Sequence, residues 1–172
     1  AAERSAGVVA VYKNYFPSVR VGVIEPFPAL SLQHDWVVKL AAFVELLQNA
    51  TGVPVRFLHA DINWRHSEVT TADRDHLKTG AVSRLIREVS AVADGMKLAF
   101  GVIVNGKATA KSDAEWLQQA RDHTVLIENS GTPPAEVIFQ SWHRYPNKNL
   151  PDSDPVSFLN MVNWFCLSRQ KE

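Results

Sequence analysis

Three carboxylates stand where a chain of alternating strands and helices would expose them: Glu25 in Ile24-Glu25-Pro26, Asp61 in His59-Ala60-Asp61-Ile62-Asn63-Trp64, and Glu128 in Ile127-Glu128-Asn129. Each closes an apolar or β-branched run, and in parallel α/β architectures reactive side chains collect at the carboxyl ends of strands. Two further run ends are polar, Val104-Asn105-Gly106 and Gln140-Ser141-Trp142. Strand side chains alternate, so Glu25 shares a face with Val21 and Val23, Asp61 with Phe57 and His59, and Glu128 with Thr124 and Leu126. One interior is then able to hold all three acids. Two carboxyl groups facing one cleft are driven to different pKa values by burial and mutual repulsion, leaving one as proton donor and the other as nucleophile or base, which is the machinery of glycoside hydrolysis. On that reading Glu25, Glu128 and Asp61 are the candidate catalytic residues. Trp64 and Trp142 offer faces for sugar rings, and His59, Asn63, Asn105 and Gln140 offer hydrogen bonds to hydroxyls.

Rival chemistries find less support. His59-x-Asp61 on one strand face, with Glu25 alongside, is a metal-ligand set on paper. The other histidines, His34, His66, His76, His123 and His143, lack ligand spacing, so no metal is expected. No Gly-x-Ser-x-Gly elbow occurs, and the single Cys166 lies in an apolar stretch where a buried, inert thiol is expected. No strand is followed by Gly-x-Gly-x-x-Gly or a Walker loop, so no nucleotide cofactor is expected either.

The elements that must position these residues follow from periodicity. A strand is expected over Val19–Glu25, stopped by Pro26, then a helix from about Leu32 to Ala50 with Trp36, Leu40, Phe43, Val44 and Leu47 on one side and Gly52 as its cap. Val55–Asp61 reads as the second strand. Asp73 caps a helix bearing Leu77, Ala81, Leu85, Val89 and Val92, and the third strand spans Leu98–Asn105. Ser112 with Glu115 is a capping box that opens a helix through about Asp122. Short strands follow at Thr124–Glu128 and Val137–Trp142, and Asp154-Pro155 starts a last helix carrying Phe158, Val162 and Phe165. The first 15 residues also read as helix.

Five strands separated by helices imply parallel pairing through right-handed crossovers, in either an open doubly wound sheet or a barrel. The missing nucleotide loops favour the barrel. A complete (β/α)8 barrel takes eight strands and about 250 residues, so this chain of 172 residues is expected to be the carboxyl-terminal half. Its partner would be the missing amino-terminal strands, from the same chain or from a second polypeptide. A start without Met fits a processed or excised product.

Composition narrows the ligands. Lys plus Arg equals Asp plus Glu at 18 each, with 46% hydrophobic residues. Neither nucleic acid nor an anionic membrane has an evident footprint in that balance, and a neutral or weakly charged partner fits better. No apolar run reaches the roughly 20 residues of a membrane span, and the opening residues lack a signal-peptide pattern.

The stretch Val19–Trp142, with Gly-Val-Ile-Glu-Pro, Phe-Leu-His-Ala-Asp-Ile-Asn-Trp, Gly-Val-Ile-Val-Asn-Gly and Ile-Phe-Gln-Ser-Trp at successive strand ends, resembles the later half of bacterial glycoside-hydrolase-like (β/α)8 barrels. If its strands are the fourth to the eighth, the resemblance puts Glu25 at the acid/base position of the glycosidase clan with glutamates on strands four and seven. Glu128 falls at the nucleophile's position and Trp142 at the tryptophan that ends strand eight. That clan usually has Asn before the acid/base glutamate, where this chain has Ile24. The resemblance therefore implies hydrolysis of O-glycosidic bonds, with a non-catalytic glycan-binding barrel and a metal-dependent hydrolase using Glu25, His59 and Asp61 as the alternatives.

Overall fold

The computed structural model describes residues 2–65 and 80–169. Helix α1 spans Ala2–Tyr15, strand β1 Val21–Phe27, α2 Trp36–Thr51, β2 Val55–Ile62, α3 Ala81–Gly95, β3 Ala99–Val104, α4 Asp113–Glu128, β4 Glu136–Phe139 and α5 Phe158–Ser168. All four strands pair in parallel, in the order β1-β2-β3-β4. The α/β class read from the sequence is therefore correct. Strand order follows chain order without a reversal, whereas doubly wound sheets turn back at a switch point. Successive right-handed crossovers in one direction put their helices on one face. The helices touch in series, α1 against α2 and α3 against α4, with α5 next to α4.

Register shows which side chains share a face. Val23–Leu58–Phe100 and Glu25–Ala60–Val102–Val137 form two in-register rows, and the core residues among them belong to the cluster that also takes in Leu40, Val44, Ile86, Val89, Trp116, Leu117 and Met161 from the helices. The opposite face carries Gly22–Phe57–Ala99, Ile24–His59–Gly101–Glu136 and Pro26–Asp61–Ile103–Ile138. Ile103 is fully buried there, outside the helix-side core cluster.

Several boundaries differ from expectation, each for a local reason. Pro26 does not stop β1, which continues to Phe27. β1 is an edge strand among the described residues, and an edge tolerates a missing N–H that would point away from its neighbour. The first turn of the expected Leu32 helix is instead a series of turns, and α2 begins at Trp36 after Asp35 in a left-handed conformation (φ 57°). Gly52 caps it as expected, at φ 65°, with its N–H bonded to Gln48 O.

The expected strand Thr124–Glu128 is the end of α4. Trp116, Leu117, Ala120, Thr124 and Ile127 continue one buried helical stripe, and that burial overrides the β preference of Thr-Val-Leu-Ile. Thr124 Oγ1 donates to Ala120 O at 2.8 Å, satisfying its hydroxyl within the helix. Ser112 accepts from Glu115 N–H as a capping box requires, but the Glu115 carboxylate accepts from Lys111 N–H rather than Ser112 N–H. Asp154 accepts from Val156 N–H in a turn, and Ser157 is the cap of α5. Cys166 is exposed on α5, not buried. Asp73 and Leu77 lie outside the described residues. Among those described, no helix is long and apolar enough to cross a membrane.

Candidate functional site

At the carboxyl ends of β1, β2 and β3 a cleft of about 220 Å³ opens. Pro26 and Asp61 line it from strand ends. Asn63, Trp64 and Arg65 come from the segment after β2, Asn105, Gly106 and Lys107 from the segment after β3, and Trp142 and His143 from beyond β4. Parallel pairing brings these segments together because every strand points the same way.

Among the described residues that line the cleft, Asp61 is the only carboxylate. Asn105 Nδ2 donates to its Oδ1 at 3.4 Å. Partial burial pushes the Asp61 carboxyl above its ordinary value, against the lowering effects of the Asn105 hydrogen bond and the nearby His143. Asn63 Oδ1 accepts from Arg65 N–H at 3.1 Å, an Asx turn that shapes the chain leaving β2.

The two tryptophans differ. Trp64 is 2% exposed, and its ring stacks on His123 with centroids 3.5 Å apart and planes 3° from parallel. His123 Nδ1 in turn donates to Asn105 O at 2.7 Å, so this pair braces the cleft floor and leaves the Trp64 face in contact with an imidazole. Trp142 is 71% exposed. Of the two tryptophans that line the cleft, it alone is exposed.

The three proposed catalytic acids are not brought together. Glu25 shares a row with Ala60 and Val102, so it projects from the helix-covered face while Asp61 and His59 project from the other. It lines a separate cavity with Val8, Val9, Phe43 and Leu47 of α1 and α2, where burial pushes its carboxyl up. Glu128 ends a helix rather than a strand, and Arg169 Nε and Nη2 both donate to its Oε1, at 3.0 and 2.7 Å. The trio Glu25, His59 and Asp61 is split across the sheet in the same way. No group of three His, Cys, Asp or Glu among the described residues is arranged to hold a metal. Loss of the strand at Thr124–Glu128 also shifts the strand count on which Glu25 and Glu128 were aligned to strands four and seven.

His59 is 3% exposed and lies one step below Asp61 on the same face of β2. Its Nε2 donates to Glu136 Oε2 at 2.8 Å, and Arg20 donates to Glu136 Oε1 at 2.8 Å. His59 is thus the buried end of a polar chain that runs through the partly exposed Glu136 to the exposed Arg20, and it does not line the cleft. Gln140 does not line it either: its N–H bonds Val104 O at 3.2 Å.

Compared with protein-family models, with curated proteins and with solved structures, the chain matches none of them. The likeness to glycosidase-type barrels therefore rests on the strand-end motifs alone.

Of the candidate residues read from the sequence, Asp61, Asn63, Trp64, Asn105 and Trp142 line the cleft. Arg65, Lys107 and His143 line it as well without having been singled out, and Glu136, outside the cleft, was missed as the partner of His59. Gly101 was the available signal for Glu136, since a glycine inside a strand often marks close approach of another group, and the His59 ring crosses β3 there.

Proposed function

We propose that this chain is a carbohydrate-binding α/β domain whose strand-end cleft receives one sugar ring. The observation that carries the reading is the exposed indole of Trp142 lining the same cleft as Asp61, Asn63 and Asn105. A sugar has an apolar C–H face and a rim of hydroxyls, so its site needs an aromatic plane beside a few placed acceptors and amides. The cleft is smaller than the roughly 300 Å³ of sites that enclose drug-sized ligands, which suits a single ring. Sequential strand order with a single helix layer supports a segment of a (β/α)8 barrel wall, where ligands are held at this end of the strands.

Binding is favoured over glycosidic hydrolysis by the placement of the acids. Hydrolysis by either stereochemical route uses two carboxyl groups flanking one bond. Among the described residues the cleft contributes Asp61 alone, with Glu25 and Glu128 held elsewhere by their own elements.

Calorimetric titration with a panel of monosaccharides and short oligosaccharides, run beside chromogenic glycosides, tests this. The expected result is saturable binding without turnover, weakened in Trp142→Ala by about 1 kcal/mol. Turnover abolished in Asp61→Asn would reinstate hydrolysis. Binding that is indifferent to both substitutions would move the site away from this cleft.

A further inference from the structure

Among the described residues β1 is the terminal strand of the sheet on its side. Phe27 O accepts from Asn63 N–H at 2.7 Å on the β2 side, and backbone groups of a parallel strand alternate in direction, so the N–H and C=O of Gly22 and Ile24 point away from β2. Pro26, without an N–H, ends that open edge. Helix α1 packs against α2, touching the core through Ala6 and Val9, while Val8 and Tyr12, one turn apart, are 57% and 56% exposed. Between α1 and the strand edge lies a groove of about 320 Å³, lined by Val8, by Phe43 and Leu47 of α2, and by every β1 residue from Val21 to Glu25. Consecutive strand residues point to opposite faces, so a groove lined by all five follows the edge of β1. It is about 16 Å long at the rise of a strand, which fits an extended chain better than a compact ligand. Glu25 is the only charged residue among the described ones that line it. No described group donates to its carboxyl, and burial alone pushes that carboxyl above its ordinary value. An acid held in apolar surroundings without a partner is costly, and a cation placed beside it removes the cost.

We propose that this groove takes an extended segment of another polypeptide, which pairs with Gly22 and Ile24 as an added strand, lays alternate apolar side chains against Val8, Phe43 and Leu47, and presents a Lys or Arg beside Glu25. Main-chain hydrogen bonds hold such a strand and the side-chain row selects it. A second copy of this chain is a poorer occupant. Its own free edge is β4, and α5 lies against β4 through the Phe139–Phe165 contact at 5.0 Å. Pairing β4 of one copy with β1 of another would bring that α5 into the place α1 holds. The groove is separate from the sugar cleft, and the proposal stands without it.

The test uses labelled synthetic peptides of about seven residues, an ordinary strand length, in which Val alternates with Thr and the central position is Lys, Gln or Glu. They are titrated against the whole chain by fluorescence anisotropy, while hydrogen exchange follows the β1 amides. The Lys peptide is expected to bind about fivefold or more tightly than the Gln peptide, as a hydrogen bond between charged groups implies, with the Glu peptide weakest. Its binding should slow exchange at the Gly22 and Ile24 amides. Glu25→Gln should bring the Lys and Gln peptides to equal affinity, with melting temperatures confirming the fold. A Lys peptide whose Val and Thr amides are all N-methylated has no donors for pairing and should fail to bind, which gives the same answer without altering the protein. Absence of binding, equal affinities for the three peptides, or binding that leaves Gly22 and Ile24 exchange unchanged would overturn the proposal. A chain that is dimeric by light scattering and protects both amides without peptide would overturn it in favour of a second copy.

Discussion

Arg20 and Glu136 form an ion pair at 2.8 Å although they belong to opposite edges of the sheet, one just before β1 and the other at the start of β4. Three strand spacings, about 14 Å in a flat sheet, separate those edges, so both side chains lean inward over the face opposite the helices. They meet above Phe57, whose ring lies 5.7 Å from the guanidinium carbon and stacks on His59 at 4.3 Å. His59 closes the group by donating to the other carboxylate oxygen.

The Glu136 carboxyl is held below its ordinary value, first by the hydrogen bond from His59 and then by Arg20. A group whose folded-state pKa is depressed contributes stability that is present above its unfolded value and lost as pH falls toward the folded one. Thermal melts of wild type and Glu136→Gln should therefore differ most near neutral pH, and the gap should close as pH drops below about 4.3, the ordinary glutamate value. A gap that stays constant from pH 7 to 3 would mean that the carboxylate charge contributes nothing.

Gly101 makes this group possible. A Cβ there would meet His59 Cδ2 at 2.3 Å and the Glu136 carbonyl oxygen at 3.0 Å. His59 is buried and tied to Glu136, so it has little room to move aside. Gly101→Ala should cost about 1–3 kcal/mol in urea unfolding, the usual penalty of overpacking. Gly7 in α1 has nothing within 4 Å of its would-be Cβ, and Gly7→Ala should gain about 0.5–1 kcal/mol. Equal effects at the two sites would show that the His59 packing is loose.

Asp61 should behave as a residue kept for binding at some expense of stability. Its carboxyl is raised by burial, so the ionised form is disfavoured in the folded chain and the fold gains stability relative to the unfolded chain as pH falls through the raised value. Asp61→Asn should melt at or above the wild-type temperature at pH 7 while binding sugar more weakly. A clear drop in melting temperature would instead make Asp61 a structural partner of Asn105.

The parallel alternation was legible because long apolar periods mark α2, α3 and the central strands. The strand ends at Asp61 and Asn105 followed directly from it. Thr124–Glu128 was not legible: Thr-Val-Leu-Ile has the composition of a strand, and only the burial of Thr124 and Ile127 along the stripe from Trp116 makes it helix. Glu25 was misassigned by a matter of parity. Alternation within β1 was read correctly, but which parity of β1 matches which parity of β2 depends on pairing, and the register slips between Val21 and Gly22. Arg65, Lys107 and His143 were not singled out because they are far apart in sequence and come to one cleft only through the sheet.

The most direct test of the sugar cleft is a two-dimensional NMR titration that follows the indole N–H signals, of which five tryptophans give five, together with the side-chain amides. Trp142→Phe assigns the exposed indole by its disappearance. On adding the tightest-binding sugar, the Trp142 signal and the side-chain amides of Asn63 and Asn105 should move together and saturate at one ligand per chain, while Trp36 in α2 stays in place. Shifts centred on α1, α2 and the cavity beside Glu25, with Trp142 unmoved, would contradict the account.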